Sequence, residues 1–269
     1  MRHLSIPALL VLLALPALPA SAQLAVPNAD GITYGHVHLN VTDIEMHKKL
    51  WVEHFGGEVV QKGPLTAVRF PNFLIALSEK TPTGGSQGSV MNHFGFKVRS
   101  TPDFLEKWKA TGLEAADVFI GAEGHRNSYV MMPDGVWVEL QEDQALPVEV
   151  SGYHIHFNTP DFEALLDWYV DVFSLEKLPR GRITTTTNVP GMNMSFGNAN
   201  DPTAPTKGRS IDHIGFEIDD LEAFCKKLEA KGIEFDIAYR EVESIQLKIA
   251  FLTDPSGTYI ELTEGYDKY

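Results

Sequence analysis

A chain of 269 residues can bury one large core or two ordinary ones without disulfides or structural metals, and its single cysteine rules out an internal disulfide. With 22 basic against 36 acidic residues and a formal charge of −14, it carries the wrong sign to bind nucleic acid or anionic lipid, which leaves small-molecule work for an otherwise ordinary globular composition.

The first 22 residues, MRHLSIPALLVLLALPALPASA, have a basic head at Arg2, a short apolar run from Ile6 and a small-residue site at Ala20-Ser21-Ala22. They read as a secretory signal peptide, residues 1–22, removed before Gln23. The mature chain loses the basic residue Arg2 and His3, and has a formal charge of −15. No later segment is long and apolar enough to span a membrane, so the expectation is a secreted or periplasmic protein without stable membrane insertion.

Next comes GHVHLNVTD, Gly35 to Asp43, an alternating strand with His36 and His38 on one face. A helix is predicted after Asp43, with Ile44, Leu50, Trp51 and Phe55 inward and a stop at Gly56. His47 and His54 lie among Lys48, Lys49 and Glu53 and read as solvent-facing. The unit closes on FLIAL, Phe73 to Leu77. After the turn-rich TPTGGSQGS, a second unit opens at His93 (HFGFKVRS), continues in a helix after Thr101 that buries Phe104, Leu105 and Trp108 and stops at Gly112, and closes on VWVEL, Val136 to Leu140.

QEDQALPVEVS, Gln141 to Ser151, leads to a third unit, which opens on YHIHFNTPD with His154 and His156, runs through a helix after Asp161 and closes on MNMSF, Met192 to Phe196. The fourth opens on HIGFEIDD at His213, continues in a helix after Asp219 that stops at Gly232, and closes on TYIEL, Thr258 to Leu262. That helix puts Cys225 on a face with Leu221, Phe224 and Leu228, as a buried inert thiol. Each unit is a strand, a helix and about three strands. The halves keep register: His36 to His154 spans 118 residues, His93 to His213 120 and Glu139 to Glu261 122.

The leading histidine of each unit, with MPDGVWVEL and LTDPSGTYIEL, resembles the vicinal oxygen chelate superfamily, which includes glyoxalase I, the bleomycin-resistance proteins and the type I extradiol dioxygenases. The resemblance covers nearly all the chain after the leader. It implies an α+β fold in which four βαβββ units pair into two half-open barrels, one per half, over residues 31–142 and 150–265, with inward-pointing ligands around a divalent metal.

The carboxylates carry the chemistry furthest. Glu139 and Glu261 sit on strands with Trp137 and Tyr259 as same-side neighbours, where an unanswered charge is costly. Combining each with the two leading histidines of its half gives His36, His93 and Glu139, and His154, His213 and Glu261. Two imidazoles and a carboxylate form a triad suited to Fe(II), with Mn(II), Zn(II), Ni(II) or Co(II) as alternatives. Resemblance to glyoxalase I implies a fourth ligand from the last strand of every unit, but Ala76 and Ser195 stand there. Three ligands favour a non-haem Fe(II) dioxygenase of extradiol type acting on a small oxygenated compound. The alternatives are a glyoxalase-like lyase, isomerase or epimerase using a divalent metal, and a non-catalytic small-molecule-binding protein of bleomycin-resistance type.

Two features depart from the extradiol pattern: both triads are intact, and the second half has no counterpart of an acid–base histidine. The first half offers His125, fourteen residues before Glu139, which with Arg126 and Tyr129 could transfer protons and bind an anion; the same count back from Glu261 reaches Leu247. His38 and His156 share a strand face with His36 and His154, so they are expected beside the metal as tuning or acid–base groups. The expected partner is a small-molecule substrate, and the assembly a monomer or homodimer.

Overall fold

The computed structural model describes residues 24–268, so the leader expected over residues 1–22 lies outside the described residues. In chain order the regular elements are β1 (Ile32–Val41), α1 (Ile44–Glu53), β2 (Glu58–Lys62), β3 (Leu65–Arg69), β4 (Leu74–Glu79), β5 (Met91–Val98), α2 (Thr101–Trp108), β6 (Phe119–Ile120), β7 (Arg126–Met132) and β8 (Val136–Glu142). The chain continues with β9 (Val150–Asn158), α3 (Phe162–Phe173), β10 (Thr186–Val189), β11 (Met192–Gly197), β12 (Ile211–Ile218), α4 (Leu221–Ala230), β13 (Ile237–Val242), β14 (Leu247–Thr253) and β15 (Tyr259–Glu264). No described helix is long and apolar enough to cross a membrane.

Local signals set these boundaries. Asp43 and Asp220 accept hydrogen bonds from the backbone N–H groups of Met46 and Ala223, and Ser100 does the same for Asp103, capping α1, α4 and α2. The α2 cap is thus Ser100, one residue before the expected Thr101, and Asp161 precedes α3 without a capping bond. Gly112 and Gly232, at φ 73° and 80°, end their helices in the left-handed region, where glycine carries no Cβ penalty. The third unit departs from the repeat: between α3 and β10 it has only isolated bridges, Lys177 to Thr187 and Arg180 to Ile183, where the first unit forms β2.

The α+β class and the paired, half-open barrels hold, but the sheets are not built one per half. One sheet runs β13-β14-β15-β12-β1-β4-β3-β2 and joins the first unit to the fourth; the other runs β10-β11-β9-β5-β8-β7-β6 and joins the second to the third. We call them the outer and inner barrels. Each is sealed by an antiparallel pair of leading strands, β1 with β12 and β5 with β9.

One apolar core holds both sheets from behind. Trp51 on α1 packs 5.9 Å from Phe94 of the inner barrel, and Phe173 on α3 stacks 4.2 Å from Phe216 of the outer, so helices straddle the two sheets. With Val37, Leu39, Ile214 and Ile260 committed to that core, the alternate residues His36, His38, His213 and Glu261 turn to the concave side. His47 corrects its expected exposure: it is fully buried, with Nε2 3.2 Å from Asp134 Oδ2. Asp134 lies in the MPDG turn of the second unit and also accepts from Thr42 N–H and Oγ1, tying the inner barrel to the start of α1. His54 is half-buried, edge-on to Trp108 at 5.2 Å.

Candidate metal centres

Because the units pair outer with outer and inner with inner, each expected triad is divided. The ligand types persist, but the sets are His36, His213 and Glu261 in the outer barrel and His93, His154 and Glu139 in the inner. His36 and His213 place Nε2 3.0 and 3.1 Å from Glu261 Oε2; His93 and His154 place Nε2 3.0 and 2.9 Å from Glu139 Oε2. The imidazole pairs stand nearly perpendicular, with centroids 5.6 Å apart in the outer barrel and 5.5 Å in the inner. All six side chains are buried.

The same strand register explains the glycines after His93 and His213. A Cβ on Gly95 would lie 2.4 Å from His154 Cε1, and one on Gly215 2.0 Å from His36 Cε1. Each His-x-His strand therefore needs a His-x-Gly partner, since the leading imidazole of one lies on the bare backbone of the other.

Convergence of two imidazole nitrogens on one carboxylate oxygen fits a divalent cation. In the inner barrel, ligand atoms of His93, Glu139 and His154 lie within 4.8 Å of one another; in the outer, those of His36, His38 and His213 do. His93 Nδ1 faces Asn92 Oδ1 at 2.9 Å and Asn127 Nδ2 donates to Glu139 Oε1 at 2.7 Å, which fixes the inner ligands from behind. The outer equivalent of Asn92 is Asp212, 2.6 Å from His213 Nδ1. Burial works against the His213 cation, but Asp212 and Glu261 outweigh it and lift its pKa to about 9. His154 goes the other way: burial takes it down to about 4 despite Glu139. Burial also penalises both glutamates, yet the facing histidines hold them well below the usual carboxylate range.

Comparison with known proteins follows this geometry. Residues 153–262 match the model of the Glyoxalase/Bleomycin resistance protein/Dioxygenase superfamily. Glyoxalase I from Zea mays, as its E144Q mutant, superposes with a TM-score of 0.68 at 17% identity, covering 88% of this chain and 95% of that one. A Bacillus subtilis protein described as a "putative dioxygenase" gives 0.64 at 11% identity, covering 92% of this chain and 87% of that one. The fold is that of the vicinal oxygen chelate superfamily.

Within that vicinal oxygen chelate fold the two concave faces differ. The outer one is apolar: Ala67, Leu74, Ala76, Leu247, Ile249 and Tyr266 form a cluster of their own. Glu217 accepts from Gly265 N–H, Tyr266 N–H and Thr263 Oγ1, fixing the C-terminal segment so that the Tyr266 ring lies 4.5 Å from that of His36. His38 is engaged as well, its Nε2 2.7 Å from Ser78 Oγ.

The inner face is polar. Asn127, Gln141, Asn193, Ser195 and Thr186 line it, all buried. Gly197 stands where Ser78 stands in the outer barrel, so nothing engages His156 Nε2 from that strand; a Cβ there would sit 3.1 Å away. Tyr129 pairs with Glu139 across the ladder and presents its ring edge-on to His93 at 5.3 Å.

His125 is not brought to this site. It is exposed in the turn between β6 and β7, four residues before Tyr129, or roughly 13 Å along an extended strand. Arg126 is committed to Glu142 through Nε and Nη2 at 3.0 and 2.6 Å. The turn sends in Glu123 instead, which accepts from Tyr153 Oη and Arg180 Nη1, each at 2.8 Å. Glu123 and Arg180 carry no periodicity or motif that marks them. The one sequence signal is at Tyr153, which stands where the first unit has Gly35.

Proposed function

We propose that this protein is a divalent-metal enzyme of the glyoxalase-like lyase, isomerase or epimerase type, and that the inner barrel does the chemistry. The observation that carries the reading is the buried His93–Glu139–His154 set facing a polar concave lining, against an outer set whose face is filled by apolar side chains and Tyr266. The fold shared with maize glyoxalase I supports the lyase type rather than the choice of barrel. When bound, a divalent cation would supply Lewis-acid polarisation of adjacent substrate oxygens, acidifying the C–H bond beside them.

The chain's own groups do the rest. Asn92 accepts from His93 Nδ1–H and keeps its Nε2 lone pair forward, while Asn127 holds the far oxygen of Glu139. His156, half-buried and 4.9 Å from the His93 ring, takes the substrate proton on Nε2 over Gly197 and returns it on the adjacent carbon. The test is solvent deuterium incorporation at carbon in small α-hydroxycarbonyl compounds by protein loaded with Zn(II), Ni(II), Co(II) or Mn(II). No exchange and no turnover with any of these metals defeats the reading.

A second reading rests on Ser195 at the fourth ligand position, where its short hydroxyl is taken up by Asn193 and Arg180. His93, Glu139 and His154 would then hold Fe(II), which would supply oxygen activation of the extradiol-dioxygenase kind. Oxygen uptake with catechols after anaerobic iron loading, without deuterium exchange, would select it.

A further inference from the structure

The inner barrel holds a cation that neither the metal set nor the core employs. Arg180 follows α3 where the third unit lacks a regular strand. Its first-unit counterpart is Lys62, since Lys62 and Arg180 each precede a glycine in the left-handed region, Gly63 at φ 58° and Gly181 at φ 56°. Lys62 sits on the regular strand β2 and donates to the Lys268 carbonyl. Arg180 points inward, its side chain only 9% exposed.

Inside, its fork is half used. Nη1 donates to Glu123 Oε1 at 2.8 Å and Nη2 donates to Ser195 Oγ at 3.1 Å, while Nε is buried with no partner. Ser195 donates its own hydrogen to Asn193 Oδ1, so it meets Arg180 only as a neutral acceptor. Arg126, in the same barrel, shows what that edge does beside a carboxylate: both its Nε and its Nη2 donate to Glu142 Oε1. Ser195 pairs with His156 across the strands and Asn193 with His154, so the Arg180 edge that donates to Ser195 lies beside the metal set.

We propose that the inner site takes a small ligand bearing a carboxylate, and that Arg180 receives it through Nε and Nη2 in place of Ser195. This deepens the metal-dependent reading and rests on it for the other end of the ligand, whose adjacent oxygens turn to His93, Glu139 and His154. Glu123 and Tyr153 are positioning residues: they hold Nη1 and the Arg180 plane, the latter 5.3 Å from the Tyr153 ring centroid. Arg180 sets specificity.

Calorimetric titration of the full chain loaded with Zn(II) compares 3,4-dihydroxybenzoate with its methyl ester, which keeps the chelating oxygens and loses the charge. The acid binds on the order of tenfold or more tightly, as expected for hydrogen bonds to a charged group. Arg180→Gln brings that ratio to about one and leaves the ester unchanged, and Arg180→Lys, lacking the planar fork, keeps part of it. Equal binding of acid and ester by the wild type, or a preference that survives Arg180→Gln, overturns the proposal. Benzoate against benzamide on metal-free protein gives a second arm, with benzoate bound only where Arg180 is present. If no Zn(II) is retained, the metal-dependent reading fails and this arm alone decides: a benzoate preference lost in Arg180→Gln upholds the carboxylate site, and no preference overturns it. Should Arg180→Gln not fold, Glu123→Gln substitutes: its amide oxygen still accepts from Nη1 while the competing negative charge is gone, so the acid-to-ester ratio rises, and an unchanged ratio counts against the assignment.

Discussion

The outer and inner barrels present the same three ligand types in the same geometry, with every imidazole-to-carboxylate distance between 2.9 and 3.1 Å. Around them the two diverge. Ser78 holds His38, the tail lays Tyr266 on His36, and apolar residues fill the outer concavity. Gly197 leaves His156 Nε2 without a partner on that strand, and Arg180, Glu123 and Tyr153 bring hydrogen-bonding groups to the inner one. A ligand set can thus persist in both copies of a repeated scaffold while the second rank of side chains decides which copy meets a substrate.

The largest effect that would break this comparison comes from the carboxylates themselves. Glu139→Gln should lower kcat/KM by at least roughly 100-fold, the upper end of what losing even an outer partner of a ligand costs. Glu261→Gln should lower stability and metal content but leave turnover within about threefold, a margin of roughly 0.7 kcal/mol. Equal losses of turnover from both changes would make the barrels functionally alike.

Removing the ring that covers the outer site tests the division from the other side. Tyr266→Ala empties a buried position and should cost about 3 kcal/mol in urea unfolding, with inner-site activity unaffected. Gly95→Ala and Gly215→Ala sharpen it: each drives a methyl group into an imidazole and should destabilise by about 1–3 kcal/mol, but only Gly95→Ala, which displaces His154, should abolish activity.

The most gradual effect is on pH dependence of the metal-free protein. His154 falls to about 4 in the folded state from an ordinary 6.5, so the unfolded chain takes up a proton between those values and the folded one does not. Stability should therefore decline as pH drops from 6.5 to 4, and further below 4.5 as the depressed carboxylates of Glu139 and Glu261 are protonated. His213 has the opposite sign: raised to about 9, it adds stability below pH 6.5 that is lost as pH rises through 9. Urea melts across this range should show the acid-side loss flattened in His154→Gln and the alkaline loss flattened in His213→Gln.

Much of this was legible in the sequence because it is local. Alternation placed His36, His38, Glu139 and Glu261 on the concave faces, since a period of two in a sheet with one face in the core leaves no other choice. Composition and spacing could not place His125, whose strand carries it away from the metal, nor His47, which looks exposed among charged neighbours until Asp134 arrives from 87 residues away. Arg180 was invisible for a related reason: the groups that receive it, Glu123 and Ser195, lie 57 and 15 residues away in the chain.

The chain by itself determined the repeating unit, the ligand chemistry and the face on which each ligand stands. It also encoded a rule of pairing, in which a His-x-His strand needs a His-x-Gly partner. That rule is satisfied equally by joining each unit to its neighbour within a half or by joining first to fourth and second to third, because the clash-free register of imidazole over glycine is the same either way. Only the tertiary structure chose between them, through α1 and α3, whose aromatic faces pack across both sheets at once and bind the alternatives to a single core.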